Sequence, residues 1–225
     1  MKTLKNSMFI GLLLLATSVI SQNKEVEFDI YTTSASKASR YLLADHVALR
    51  DCPATQCQQL TTIAIGTNVR LLAKSESPQT IDGVTSRWYK VKMGPQIGWI
   101  WGGLISQKTM VSNTNPEIRF VFGEAGLDSN AQQQFQIRAI KNGVELDKIL
   151  LKSNTLTYSG IELLKNQDQD IISLSSNEEG NFNVNDSPMF VVFKDNRLQK
   201  MTSLTSSTEV QNDVFQYAYS SECEN

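Results

Sequence analysis

The sequence predicts an all-β protein: a small barrel followed by a second β-rich, sandwich-like domain, behind a signal peptide. Three observations carry this. Beyond residue 40, short runs alternate apolar and polar residues at period two. Turn signals such as Gly66-Thr67-Asn68, Gly94-Pro95 and Asn142-Gly143 separate those runs. Between residues 41 and 107 no segment shows a helical period. A chain of 225 residues, 40% hydrophobic and 20% charged, holds one or two domains. That composition excludes a wholly disordered chain, a collagen and a multi-span membrane protein.

Residues 1–21 have the layout of a secretory signal. Lys2 and Lys5 form a positive start, and Met8 to Ile20 is apolar. A membrane span needs about 20 apolar residues, and this run is shorter. Val19 and Ser21 suit cleavage after Ser21, and no cysteine lies there to take a lipid. No membrane span is then expected in the mature chain. Cleavage leaves 19 Lys and Arg against 23 Asp and Glu, an acidic protein. No basic field exists to hold a nucleic-acid backbone, so nucleic acid is not an expected partner.

Residues 22–40 open with an edge-strand candidate, KEVEFDIY, and continue as a polar N-terminal linker. The barrel spans 41–107. Val47 and Leu49 alternate with Ala48 and Arg50, and Val69 and Leu71 with Arg70. In Arg87–Met93, Tyr89, Val91 and Met93 share one face; Trp88, Lys90 and Lys92 share the other. Gly98–Trp101 puts Trp99 and Trp101 on one side and Ile100 opposite. Residues 108–116 read as a second polar linker, closed by Asn115-Pro116.

The β-rich C-terminal domain spans 117–225. Ile118, Phe120 and Phe122 alternate, as do Phe135, Ile137 and Ala139. Asn142-Gly143 signals a hairpin; Met189–Phe193 reads as a strand buried on both faces, followed by a turn at 194–197. Phe215, Tyr217 and Tyr219 alternate near the end. Ile161, Leu164 and Lys165 also fit one helical turn, so α+β stays a lesser option. These residues identify no family for 117–225.

Within 41–107 four ordered motifs resemble bacterial SH3 (SH3b) domains. Val47-Ala48-Leu49-Arg50 with Pro53 resembles their "LNVRSGPS" start, and Ile65–Val69 their "KGTKV" turn. Trp88-Tyr89-Lys90-Val91 matches "WYKV"; Gly98-Trp99-Ile100 matches "GWV", with Leu104 as the closing hydrophobe. The resemblance implies an SH3-like barrel and non-catalytic binding, often to peptidoglycan or its stem peptides. The chain departs from the pattern in a longer connection at 75–87, in the 51–54 loop, and in Trp101, where the family has a small or polar residue.

Candidate site residues follow. Trp88, Trp99 and Trp101 either line a groove that stacks on sugars or grips a peptide, or belong to the core. Trp101 is the expected exposed one. Arg50 and Asp51 orient a carboxylate or amide at the groove edge, or form a solvated pair worth little. Cys52 and Cys57 are expected to close a disulfide loop in an oxidising compartment. Two thiols without further ligands make no zinc site, so no metal is expected. Cys223 is a free thiol, an intermolecular link or an alternative partner.

His46, the single histidine, follows Asp45 and resembles half of an acid–base unit. It lacks a nucleophile if Cys52 and Cys57 are bonded, so no enzyme and no cofactor are expected. Asp168-Gln169-Asp170 and residues 177–186 are acid-rich; Asn181, Asn183, Asn185 and Asp186 have some flavour of a calcium loop, but a polar hairpin loop explains them better, and Asn185-Asp186-Ser187 fits a glycosylation sequon. The expected function is an exported, periplasmic or secreted protein that binds peptidoglycan fragments or an envelope peptide. The alternative is a protein–protein adaptor whose specificity lies in 117–225.

Overall fold

The structure is a computed structural model that describes residues 24–26, 39–152, 158–166, 168–175 and 189–201. Residues 1–21, most of 22–40, the 177–186 stretch with its sequon, Phe215–Tyr219 and Cys223 lie outside these residues. Among the described residues the protein is all-β, with no α-helix and none long and apolar enough to cross a membrane.

Among the described residues the N-terminal unit contains nine strands. These are β1 (Glu25–Val26), β2 (Ser39–Tyr41), β3 (Val47–Arg50), β4 (Gln59–Ile63), β5 (Asn68–Ser75), β6 (Gln79–Ile81), β7 (Val84–Ser86), β8 (Trp88–Met93) and β9 (Gln96–Trp101). Seven of them form one sheet in the order β1-β5-β8-β9-β3-β4, with β2 also paired to β5; β6 and β7 form a separate ribbon. The alternation read from sequence sets the inner face. Val47 and Leu49 of β3, Val69 and Leu71 of β5, Val91 of β8 and Ile100 of β9 meet in one core with Leu42, Ile63 and Ile105. Each such side chain contributes about 1.5–3 kcal/mol by leaving water. Gly98 allows close approach of β9 to β3: a Cβ there would lie 2.7 Å from Leu49 Cγ.

The 75–87 connection is the β6–β7 ribbon. Its turn, Asp82-Gly83, has φ of +50° and +77°, values that suit a two-residue hairpin turn matching the strand twist.

The C-terminal unit stacks two four-stranded antiparallel sheets. One contains β10 (Lys108–Val111), β11 (Ile118–Leu127), β12 (Gln133–Lys141) and β13 (Val144–Lys152), in that order. The other contains β14 (Ile161–Asn166), β15 (Gln169–Leu174), β16 (Met189–Lys194) and β17 (Arg197–Lys200). Phe120, Phe122, Phe135 and Ile137 from the first face Ile161, Ile172, Leu174, Val191 and Phe193 from the second. Phe120 and Phe193 meet edge to face across the layers at 5.1 Å. The Asn142-Gly143 hairpin forms, with φ of +50° and +77°, and Asp195-Asn196 turns β16 into β17.

Three expectations change. The stretch read as a linker, 108–116, begins with β10, which pairs along its length with β11. Ile161–Lys165 is strand, not helix, because it pairs residue by residue with β15. The run Met189–Phe193 is fully buried only at Val191 and Phe193, since β16 covers the core with one face.

The two units share a third core. Leu43 and Ile65 from the barrel pack with Val121 of β11 and Ile140 of β12. Arg119 stacks its guanidinium 4.1 Å from the Tyr41 ring, and Gln107 donates its backbone N–H to the Phe122 carbonyl at 2.9 Å. Gly126, at a bulge in β11 with φ of +83°, lets that strand approach the ribbon: a Cβ there would lie 2.3 Å from the Asp82 carbonyl oxygen.

Candidate binding face of the barrel

The register of β8 and β9 builds an outer face row by row. Trp88 lies opposite Trp101, Lys90 opposite Trp99, and Lys92 opposite Ile97. Directly opposed residues share a face, so all three tryptophans stand on one side of the sheet, as the alternation predicts, and that side is the one opposite the Val91 and Ile100 core. Arg50 of β3 lies opposite Trp99, and Arg70 of β5 opposite Lys92.

That outer face is covered unevenly. At one end, Val84 and Ile81 of the ribbon and Leu104 pack on Trp88, Trp99 and Trp101. Gln79 serves both neighbouring indoles: its side-chain oxygen accepts Trp88 Nε1–H at 2.6 Å, and its carbonyl accepts Trp101 Nε1–H at 3.3 Å. The ribbon base is fixed by Arg87, whose guanidinium donates to the carbonyls of Ser75 and Glu76. The ring of Trp101 also covers Gly103, where no Cβ could fit.

Trp101 is therefore buried, with 6% exposure, against the expectation that it is the open member of the trio. Trp88 and Trp99 are buried as well. The physical reason is the long 75–87 connection. The long connection and the Trp101 indole are halves of one contact.

Trp99 is flanked on the same face by two cations. Lys90 Nζ stands 6.0 Å from its ring centroid and pairs with Glu25 of β1 at 2.9 Å. Arg50 donates to the Cys57 carbonyl at 2.7 Å. Cys52 and Cys57 are joined in a disulfide across a Cα–Cα distance of 5.6 Å. Within that loop Cys57 N–H donates to the Ala54 carbonyl at 3.2 Å, and Asp51 N–H to the Gln58 carbonyl at 3.1 Å. Arg50 thus braces the loop, while the Asp51 side chain stands in solvent. Asp51, Cys52 and Cys57 bring their ligand atoms together, but both sulfurs are spent in the disulfide.

At its far end the face is open. Lys92 and Arg70 are exposed, and Ile97 is 47% exposed beside the Gly94-Pro95 turn. Elsewhere, at an irregularity of the edge strand β4, Leu60 is 50% exposed. Sequence reasoning passed over Gln79, Lys92, Arg70 and Ile97. Their signal was present for Lys92 and Ile97, which share the alternation of the tryptophans; Gln79 carried none.

The remaining candidates lie elsewhere. Asp45 accepts backbone N–H groups of His46 and Ile65 at 2.9 and 3.2 Å, and these bonds hold its carboxyl below the ordinary carboxylate range. His46 is solvent-exposed at φ +52°, with Nδ1 3.3 Å from Asp45. Asp168 is exposed and faces Lys194 at 3.7 Å. Asp170 is fully buried and accepts Asn113 N–H at 2.8 Å and the hydroxyls of Ser112 and Thr114. The two acids of that motif point to different environments and form no joint site. Burial pushes the Lys108 ammonium down, as it donates to the carbonyls of Tyr158 and Ile161 at 2.9 and 2.6 Å between the two sheets. No protein-family model, curated protein or solved structure matches the chain.

Proposed function

We propose that the protein is an exported, non-catalytic binding protein of the cell envelope, which takes a peptidoglycan fragment or an envelope peptide on the outer face of its barrel. The observation that carries this reading is the uneven cover of that face. One end is a built aromatic layer capped by the ribbon, and the other leaves Ile97 bare beside Lys92 and Arg70. The four ordered motifs that resemble SH3b domains support it. So does the Cys52–Cys57 bond, which suits an oxidising compartment. In this reading the tryptophans stiffen the face from beneath the ribbon, and ligand contact passes to Ile97 and Asp51.

The test is sedimentation of the 22–225 chain with purified cell-wall sacculi. Trp101→Ala is not a useful binding probe, because removing a buried indole costs about 3–5 kcal/mol of stability. Ile97→Ser changes a half-exposed side chain and leaves the core intact. The wild type is expected to sediment with the wall, and Ile97→Ser to sediment at least about threefold less, a loss near the transfer value of a half-buried aliphatic side chain. Failure of the wild type to sediment overturns wall recognition.

A further inference from the structure

We propose that the open end of this face docks an acidic peptide, recognised by a like-charged pair, Arg70 and Lys92, next to Ile97. The inference deepens the reading above and rests on its peptide branch. Arg70 on β5 and Lys92 on β8 are direct register partners, and Lys92 is in turn the partner of Ile97 on β9. Residues opposed in this way have Cα atoms about 4.5–5.5 Å apart and project from one face. The three side chains therefore form one row across three neighbouring strands: cation, cation, aliphatic.

Folding stability alone does not account for that row. Like charges directly opposite on adjacent strands destabilise a sheet. Arg70 and Lys92 are both exposed, and among the described residues neither has an ion-pair partner. One row along, Lys90 is treated differently: Glu25 neutralises it. The positive pair also stands against the sign of the whole chain, which carries a formal charge of −2. A local positive site on an acidic protein attracts anions at short range, within about one Debye length of 8–10 Å.

The chemistry of the row selects the anion. A guanidinium offers a planar fork that matches a carboxylate, and the neighbouring ammonium adds a second point charge. Ile97 is covered only by a ligand with an apolar group. An extended peptide places side chains i, i+2 and i+4 on one face, about 6.6–6.8 Å apart. A sequence of the type Glu-x-Glu-x-Leu then lays two carboxylates on the cations and its leucine on Ile97, with the long Arg and Lys side chains absorbing the difference in spacing. A phosphodiester chain would meet the cations and leave Ile97 bare. A bilayer would require a broader apolar surface than one side chain in this row.

The test is fluorescence anisotropy of the 22–225 chain with a fluorescein-labelled Glu-Ala-Glu-Ala-Leu peptide. Its lysine counterpart, Lys-Ala-Lys-Ala-Leu, and inorganic polyphosphate serve as the other probes. R70Q/K92Q is expected to weaken acidic-peptide binding about tenfold at low salt, and salt to weaken wild-type binding in the same sense. K200Q, on β17, is expected to change nothing. Because the double variant relieves a like-charge contact, its melting temperature should equal or exceed that of the wild type, so lost binding cannot be lost folding. Equal binding by R70Q/K92Q overturns the proposal, as does polyphosphate binding that is tighter than the peptide's and indifferent to I97S. If this test fails while sacculi still bind, the acidic-peptide site falls and wall recognition stands; the reverse pattern removes the wall and leaves the site.

Discussion

Asp45 shows how one carboxylate is spent on the backbone. It clamps the turn before β3 by accepting two N–H groups, and it joins that turn to Ile65, a member of the core shared by the two units. Hydrogen bonds to the ionised form, that from His46 first and that from Ile65 next, lower its pKa in the folded state. The sign of the linkage follows. Its contribution is complete above the unfolded value of about 3.9 and is lost as pH falls through the lower folded value. Asp45→Asn should therefore lower the urea midpoint at pH 6, and the gap from wild type should close as pH falls below the ordinary carboxylate range. A gap that persists into strong acid would show that the ionised carboxylate is not the stabilising form. From sequence, Asp45 beside His46 looked like half of an acid–base unit. The adjacency was visible, but the carboxylate is occupied by two backbone donors, the N–H of His46 itself and that of Ile65, 20 residues away, and neither carries a side-chain signature.

At the scale of elements, the ribbon is the feature on which the barrel's outer face depends. Gln79 satisfies two indole N–H groups at once, one through its side chain and one through its backbone. Gln79→Ala removes the acceptor of Trp88, whose indole is 2% exposed. A buried donor left unpaired costs about 1–3 kcal/mol. The expected result is a lower melting temperature with red-shifted tryptophan emission, both largely restored in Gln79→Glu, which keeps an acceptor in place. Unchanged emission in Gln79→Ala would mean that the ribbon holds the indoles by packing alone. Period-two alternation made the strands legible and put Trp88, Trp99 and Trp101 on one side, but alternation names sides without saying which side meets water. That choice was made by residues 79–86, whose polar composition reads as a loop. β10 escaped notice for a related reason. Lys108–Val111 has weak alternation of its own and is held by the ladder of its neighbour β11.

At the scale of the molecule, a small shared core of Leu43, Ile65, Val121 and Ile140 joins the two units. Leu43 and Ile65 look in sequence like ordinary barrel residues, and Val121 and Ile140 like ordinary sandwich residues, because burial at an interface leaves the same pattern as burial in a core. The contact shows instead in glycines: a Cβ on Gly123 would lie 2.4 Å from Leu43, and one on Gly66 3.0 Å from Ile140. The chain offers a direct way to read this coupling. Its three tryptophans all lie in the barrel, so tryptophan emission reports that unit alone, while far-UV circular dichroism reports both sheet systems. In the wild type the two signals should unfold in one coincident transition, the signature of a cooperative unit. Leu43→Ala empties a fully buried position and should cost about 2–5 kcal/mol. Because the loss falls on the contact between the units, it should also separate the two curves. Coincident curves in the variant would place Leu43 within the barrel's own cooperative core; separated curves already in the wild type would show that the barrel and the sandwich fold independently in spite of their contact.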